Sequence, residues 1–175
     1  MSNVPRAASC PAASGFRPDD VEIMAQLPND LHASRLARSL MQTAMMDRLG
    51  PERSLDAAIC LSELVSNVVV HVEEPPVLVA HLDCQEVVVQ VSDRHPIDEA
   101  FSRLLRELRE TGRTSDLRTI GGRGFQIVDL LADDWGVHGW ANSATGGRQD
   151  RLAGKTLWFA MEAQGARELA DFDLG

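Results

Sequence analysis

Glu63, Asn67 and His71 stand four residues apart in the stretch Leu61–His71, LSELVSNVVVH. Four helical residues turn about 400°, so on a helix these polar side chains share one slowly drifting stripe. Beside it runs an apolar stripe, Ala58, Leu61, Val65, Val68 and Val72, at spacings of three and four. Such a helix has a core face and a polar face that can offer a carboxylate, an amide and an imidazole to a ligand. Two plainer readings compete: a buried strand through the β-branched run Val68–Val70, or a surface helix whose polar face only meets water. A strand would mix Glu63, Val65, Asn67, Val69 and His71 on one side. The helix sorts charge from valine, and a helix is expected.

A second carboxylate has a position that could do chemistry. Val87, Val89 and Val91 share one parity and Asp93 continues it, so Asp93 should emerge at the end of the core-facing side of a strand. A carboxylate there is costly unless something hydrogen-bonds to it; the plainer reading is a solvated strand end or a helix cap. Third comes a polar segment, Glu110–Gly124, with four glycines and the ending Gly121-Gly122-Arg123-Gly124. Phe125, Ile127, Val128 and Leu131 then start a helix directly. Polar segments of this length in compact domains tend to be lids, and glycines at a helix entrance let backbone N–H groups approach an anion. An Asn67 amide oxygen suits Mg²⁺, a buried Asp93 can accept the exocyclic amine of adenine, and backbone donors can close on phosphates. ATP answers all three features at once.

The elements that must position these residues follow in order. Residues 1–19 are rich in Ala, Ser and Pro and read as a leader. Val21–Leu27 alternates and reads as an edge strand ended by Pro28. Asn29 and Asp30 can cap a helix whose apolar positions are Leu36, Leu40, Ala44 and Met45/Met46, ending at Leu49-Gly50. Pro51 and Glu52 open the organising helix, which runs to about His71. After Pro75-Pro76 come two strands, Val77–Asp83 and Glu86–Asp93, close enough for a hairpin. A helix from Pro96 carries Asp98 and Glu99 at its start, Arg106 and Arg109 at its end, and a buried edge of Ile97, Phe101, Leu104 and Leu108. Strands Asp134–Trp140 and Lys155–Met161 close residues 20–162 as a single domain, with 163–175 as a tail. The fold class expected is α+β: a two-layer sandwich with a mixed sheet covered on one face by helices.

Composition bounds the partners. At 175 residues and 44% hydrophobic content the chain can bury a core. A net charge of -9 disfavours a nucleic-acid backbone or an anionic membrane, because both require clustered Lys and Arg. Cys10, Cys60 and Cys84 lack metal-ligand spacing, and no apolar run resembles a signal sequence or membrane span, so a reducing cytoplasm is the expected compartment. Cys60 and Cys84 are expected as small core residues.

In order and spacing these features resemble the N, G1 and G2 boxes of the GHKL ATPases, the Bergerat fold, over about Val21–Met161. SELVSNVVVH, the stretch GRGFQIVDLLADDWGV from Gly122 to Val137, and GKTLWF from Gly154 to Phe159 resemble the small bacterial anti-sigma factors that are also serine-protein kinases. The resemblance implies Glu63 as catalytic base, Asn67 as Mg²⁺ ligand and Asp93 as adenine reader. It also implies Gly122 and Gly124 as parts of the lid and Thr156 as a threonine near adenine. It further implies ATP and Mg²⁺ as ligands, a sigma factor and a STAS-type anti-anti-sigma protein as partners, and a homodimer through the sheet and N-terminal helix region. One departure stands out: the family's D-x-G-x-G is replaced by Asp93-Arg94-His95-Pro96, without either glycine. The alternative function is therefore a noncatalytic interaction module of the same fold, with nucleotide as a structural ligand or absent.

Overall fold

The computed structural model describes residues 20–111, 122–141 and 152–164. The element order is β1 (Val21–Gln26), α1 (Ala33–His71), β2 (Val77–Leu82), β3 (Glu86–Asp93), α2 (Glu99–Thr111), α3 (Gly122–Leu131), β4 (Asp134–Ala141) and β5 (Leu152–Glu162). The expected leader, most of the polar lid and the tail beyond Gln164 lie outside the described residues.

The α+β class holds, and the sheet order is β1-β2-β3-β5-β4. Every pairing is antiparallel, which corrects the expected mixed sheet. The reason is topological. The chain leaves β3 through α2 and α3 and returns as β4, parallel to β3, but β5 occupies the slot between them and pairs antiparallel with both. Period-2 burial gives the sheet one core face, with Leu78, Ala80, Leu82, Val87, Val89, Val91, Leu157, Phe159 and Met161 all within 1% of full burial. These residues share one apolar cluster with α1 and with Phe125 and Val128 of α3. The alternate positions, among them Met24, His81 and Gln90, are half-buried or exposed.

α1 is two helical segments joined at a sharp break. Gly50 has φ 74° and ψ 178°, a conformation that essentially only glycine adopts, and Pro51 follows at the first position of the second segment. The expected stop and restart are thus realised inside one continuous run. By length and composition alone α1 could cross a membrane. Here it is broken at Gly50 and lays Ala57, Cys60, Leu61, Leu64, Val65 and Val68 into the core.

The first segment corrects the expected stripe. Its buried residues are Ala33, Ala37, Met41, Met45 and Leu49, while Leu36, Leu40 and Met46 are exposed. Small alanines allow close approach to the second segment, and the larger leucines one position away are turned outward. The expected caps are also redistributed. Asp30 Oδ1 accepts from the His32 amide, whereas Asn29 Nδ2 donates to the Val72 carbonyl at the far end of α1. Cys60 is buried as expected, but Cys84 sits exposed in the β2–β3 turn. There Asp83 Oδ1 accepts from the amides of Gln85 and Glu86, which fixes the hairpin.

The break at Gly50 yields a stability prediction. Gly50→Ala forces a side chain into a glycine-only region and should cost about 1–3 kcal/mol, read as a lower urea midpoint at unchanged slope. A midpoint equal to wild type would show that the break relaxes freely.

Candidate functional site

The second segment of α1 rotates its apolar stripe onto the sheet, and this leaves Glu63 and Asn67 half-buried at its margin and His71 exposed at its end. The entrance of α3 lies directly over them. A methyl group on Gly124 would fall 2.8 Å from Glu63 Oε2 and 3.0 Å from Asn67 Nδ2, so the absence of a side chain lets the α3 backbone sit on this pair. Arg123 is exposed beside them, Gly122 begins the helix, and Gly121 lies outside the described residues.

Asp93 comes from the opposite side, at the last residue of β3, and is 4% exposed, as its parity in the strand requires. Its neutralising partner is Lys155 on β5, 7% exposed and paired with it in strand register. Lys155 Nζ donates to Asp93 Oδ1 at 3.0 Å and to the His95 carbonyl at 3.3 Å. It also lies 2.8 Å from Asp93 Oδ2, but without hydrogen-bond geometry, so Oδ2 is held by charge alone. The His95 amide adds a bond to Oδ1 at 2.7 Å. Two donors thus hold one oxygen, while the other has no hydrogen bond among the described residues.

Between these two groups is a cavity of about 330 Å³. Asn67, His71, Asp93, His95 and Lys155 give it a polar side, and Phe101, Leu104, Phe125 and Leu157 give it apolar walls. This size and mixture suit a small-molecule site. Phe101 and Phe125 meet edge to face at 5.7 Å, and Lys155 Nζ lies 5.5 Å from the Phe101 ring centroid. Asp98 caps the start of α2 through the Phe101 amide at 2.7 Å, which fixes the wall that Phe101 supplies. Two buried polar atoms at the cavity have no hydrogen-bond partner among the described residues, Asn67 Nδ2 and Asp93 Oδ2. Buried polar groups are rarely left so, and here both belong to side chains that line the cavity.

The structure therefore brings together Asn67, Asp93, Gly124 and Glu63, with Glu63 beneath Gly124 rather than among the residues lining the cavity. Thr156 is elsewhere. It pairs with Ser92, the position before Asp93, and its hydroxyl contacts Ser92 Oγ at 2.8 Å on the sheet face away from the helices. Its neighbour Lys155 holds the inward position. Lys155 was missed, though a signal existed: it shares parity with Leu157, Phe159 and Met161, and so belongs on the core face. Among the described residues no cluster of three His, Cys, Asp or Glu side chains could hold a metal ion. A Mg²⁺ ion on Asn67 would thus complete its shell from ligand oxygens and water.

Electrostatics at the rim bear on His71. Partial burial lowers its pKa from the usual 6.5, the Lys155 ammonium and then His95 lower it further, and Asp93 opposes them. No family model matches this chain, and no curated protein gives a significant match.

Two predictions follow from the ion pair and the imidazole. Lys155→Met leaves a buried carboxylate uncompensated and should cost about 3–5 kcal/mol, whereas Asp93→Asn/Lys155→Met should recover most of it; equal stability of the two variants would contradict a buried, coupled pair. For His71 the folded pKa lies below the unfolded one, so protonation favours the unfolded chain. The cost is absent above the unfolded value and grows as pH falls through it towards the folded value. His71→Gln should therefore reduce the stability lost between neutral pH and about pH 5, measured by denaturant titration; an unchanged loss would assign it to other groups.

Proposed function

We propose that this chain is a nucleotide-binding domain of the GHKL type, acting as an anti-sigma factor and serine-protein kinase in the cytoplasm. In this reading it binds an RNA polymerase sigma factor and, with Mg-ATP, phosphorylates a serine of a STAS-type anti-anti-sigma protein. The supporting observation is that Asn67 and Asp93 line one cavity with their buried atoms Asn67 Nδ2 and Asp93 Oδ2 unpartnered, while Glu63 lies next to Asn67 under Gly124 at the entrance of α3. These residues fit the ligand by chemistry. The apolar walls suit a base, Asp93 Oδ2 can accept an exocyclic amine, and the Asn67 amide oxygen suits a hard cation.

Each residue then has a role in positioning or proton transfer. Mg-ATP supplies the phosphoryl group, and the chain's task is alignment and charge neutralisation. Glu63 accepts the proton of the attacking serine hydroxyl as the new P–O bond forms and the bond to the leaving diphosphate breaks. Arg123 and the backbone donors of Gly122 to Gly124 at the start of α3 would meet the developing phosphate charge. Among the described residues β1 is an edge strand of the sheet, and its outer side would serve a homodimer.

A second reading has its own observation. Asp93 is already ion-paired with Lys155 and capped by the His95 amide, where the family has glycines. A noncatalytic module that grips its partner by protein contacts would keep such a closed floor.

Calorimetry with Mg-ATP and transfer of labelled phosphate to STAS proteins separate the two. The kinase reading expects micromolar binding and a loss of transfer of about 10²-fold or more in Glu63→Gln at unchanged affinity. Binding without transfer to any STAS partner, with Glu63→Gln equal to wild type, leaves the module.

A further inference from the structure

Resting on the ATP reading above, we infer that Asp93 and Lys155 act as one two-residue reader of the base, with Lys155 donating a hydrogen bond to the ring nitrogen beside the exocyclic amine that Asp93 accepts. Lys155 is thereby a specificity-determining residue. The pair is the polar floor of a cavity walled by Phe101, Leu104, Phe125 and Leu157. Both side chains are nearly fully buried, at 9% and 0% exposed, and their charges cancel. A ligand group with net charge would upset that balance without solvent to screen it, so the floor favours a neutral polar ring.

The hydrogen-bond inventory sets which edge the ring must present. An ammonium has three donors and no acceptor, and an ionised carboxylate only accepts. Two of the Lys155 donors are directed, to Asp93 Oδ1 and to the His95 carbonyl, which leaves one. Asp93 Oδ1 is saturated by Lys155 and the His95 amide, whereas Oδ2 is buried and has no hydrogen bond. The open donor and open acceptor sit side by side, since Nζ and Oδ2 are 2.8 Å apart. Their complement is an amine next to an unprotonated ring nitrogen, the edge of adenine. Guanine offers a carbonyl beside a ring N–H and adds a second amine, which would enter the apolar walls without a partner. Lys155 keeps its bonds to Asp93 and His95 in both states, so reading the base requires no break of the ion pair.

The test uses the full chain, Mg²⁺ and calorimetry with ATP, 1-deaza-ATP, in which the ring nitrogen is a C–H, and GTP. ATP should bind about tenfold or more tightly than 1-deaza-ATP, because the analogue strands a buried charged donor. GTP should be weaker than ATP. ATP and 1-deaza-ATP binding equally would overturn the role of Lys155 and leave the ATP reading intact, as would GTP binding as well as ATP. No binding of ATP would remove both. Asp93→Asn/Lys155→Met, which carries no unpaired charge, should bind ATP and 1-deaza-ATP alike; wild-type discrimination in that folded variant would also overturn the proposal.

Discussion

The azimuth of α1 governs both the core and the site. Its second segment buries Ala57, Cys60, Leu61, Leu64, Val65 and Val68 almost completely against the sheet. Each large apolar side chain so placed is worth about 1.5–3 kcal/mol, so turning the helix by one residue would cost more than most domains have to lose. That burial therefore fixes where Glu63 and Asn67 point, although neither contributes to it. Gly50 makes the arrangement achievable, because the break lets the first segment fold back with Ala33 and Ala37 against its neighbour. A side chain at Gly124 would also press on Glu63 and Asn67, so the position of α3 depends on the same rotation.

Much of this was legible because the burial is local and periodic. Four-residue spacing separated Glu63 and Asn67 from the valines beside them, and alternation carried Asp93 inward. The break at Gly50-Pro51 also has a local signal, whereas α2 starts at Glu99 rather than Pro96, with Asp98 as its cap, and α3 starts at Gly122, within the glycine run rather than after it. What escaped depends on residues far apart in sequence. Nothing near β3 states that β5 pairs with it, so neither the fully antiparallel sheet nor the union of Asp93 with Lys155, 62 positions apart, could be read directly. Thr156 was named by resemblance alone; inside a strand a one-residue step changes the face, and its hydroxyl meets Ser92 while Lys155 lines the cavity. Leu36 and Leu40 misled because a larger apolar residue outscores alanine in any pattern, while tight helix contact selects the alanine.

The site also contrasts two ways of managing buried polarity. Among the described residues, Asp93 is neutralised by a charge although its Oδ2 has no hydrogen bond, whereas Asn67 Nδ2 has neither a charge partner nor a hydrogen bond. A low-dielectric wall of Phe101, Phe125 and Leu157 strengthens every polar contact made beside it. An ion pair held in place on one side and an unmet donor on the other would spare any ligand of this cavity the cost of ordering its floor.

The central placement of β5 has a kinetic meaning. Its neighbours β3 and β4 cannot touch without it, and β3 precedes it by some 60 positions in the chain. Closing so long a loop is slow compared with forming α1 or the β2–β3 hairpin. Until β5 is in place, Asp93 lacks the Lys155 partner that neutralises it, and the floor of the cavity is incomplete. Because Leu157, Phe159 and Met161 share one core cluster with α1 and α3, any process that pulled β5 out would open the cavity and the core together.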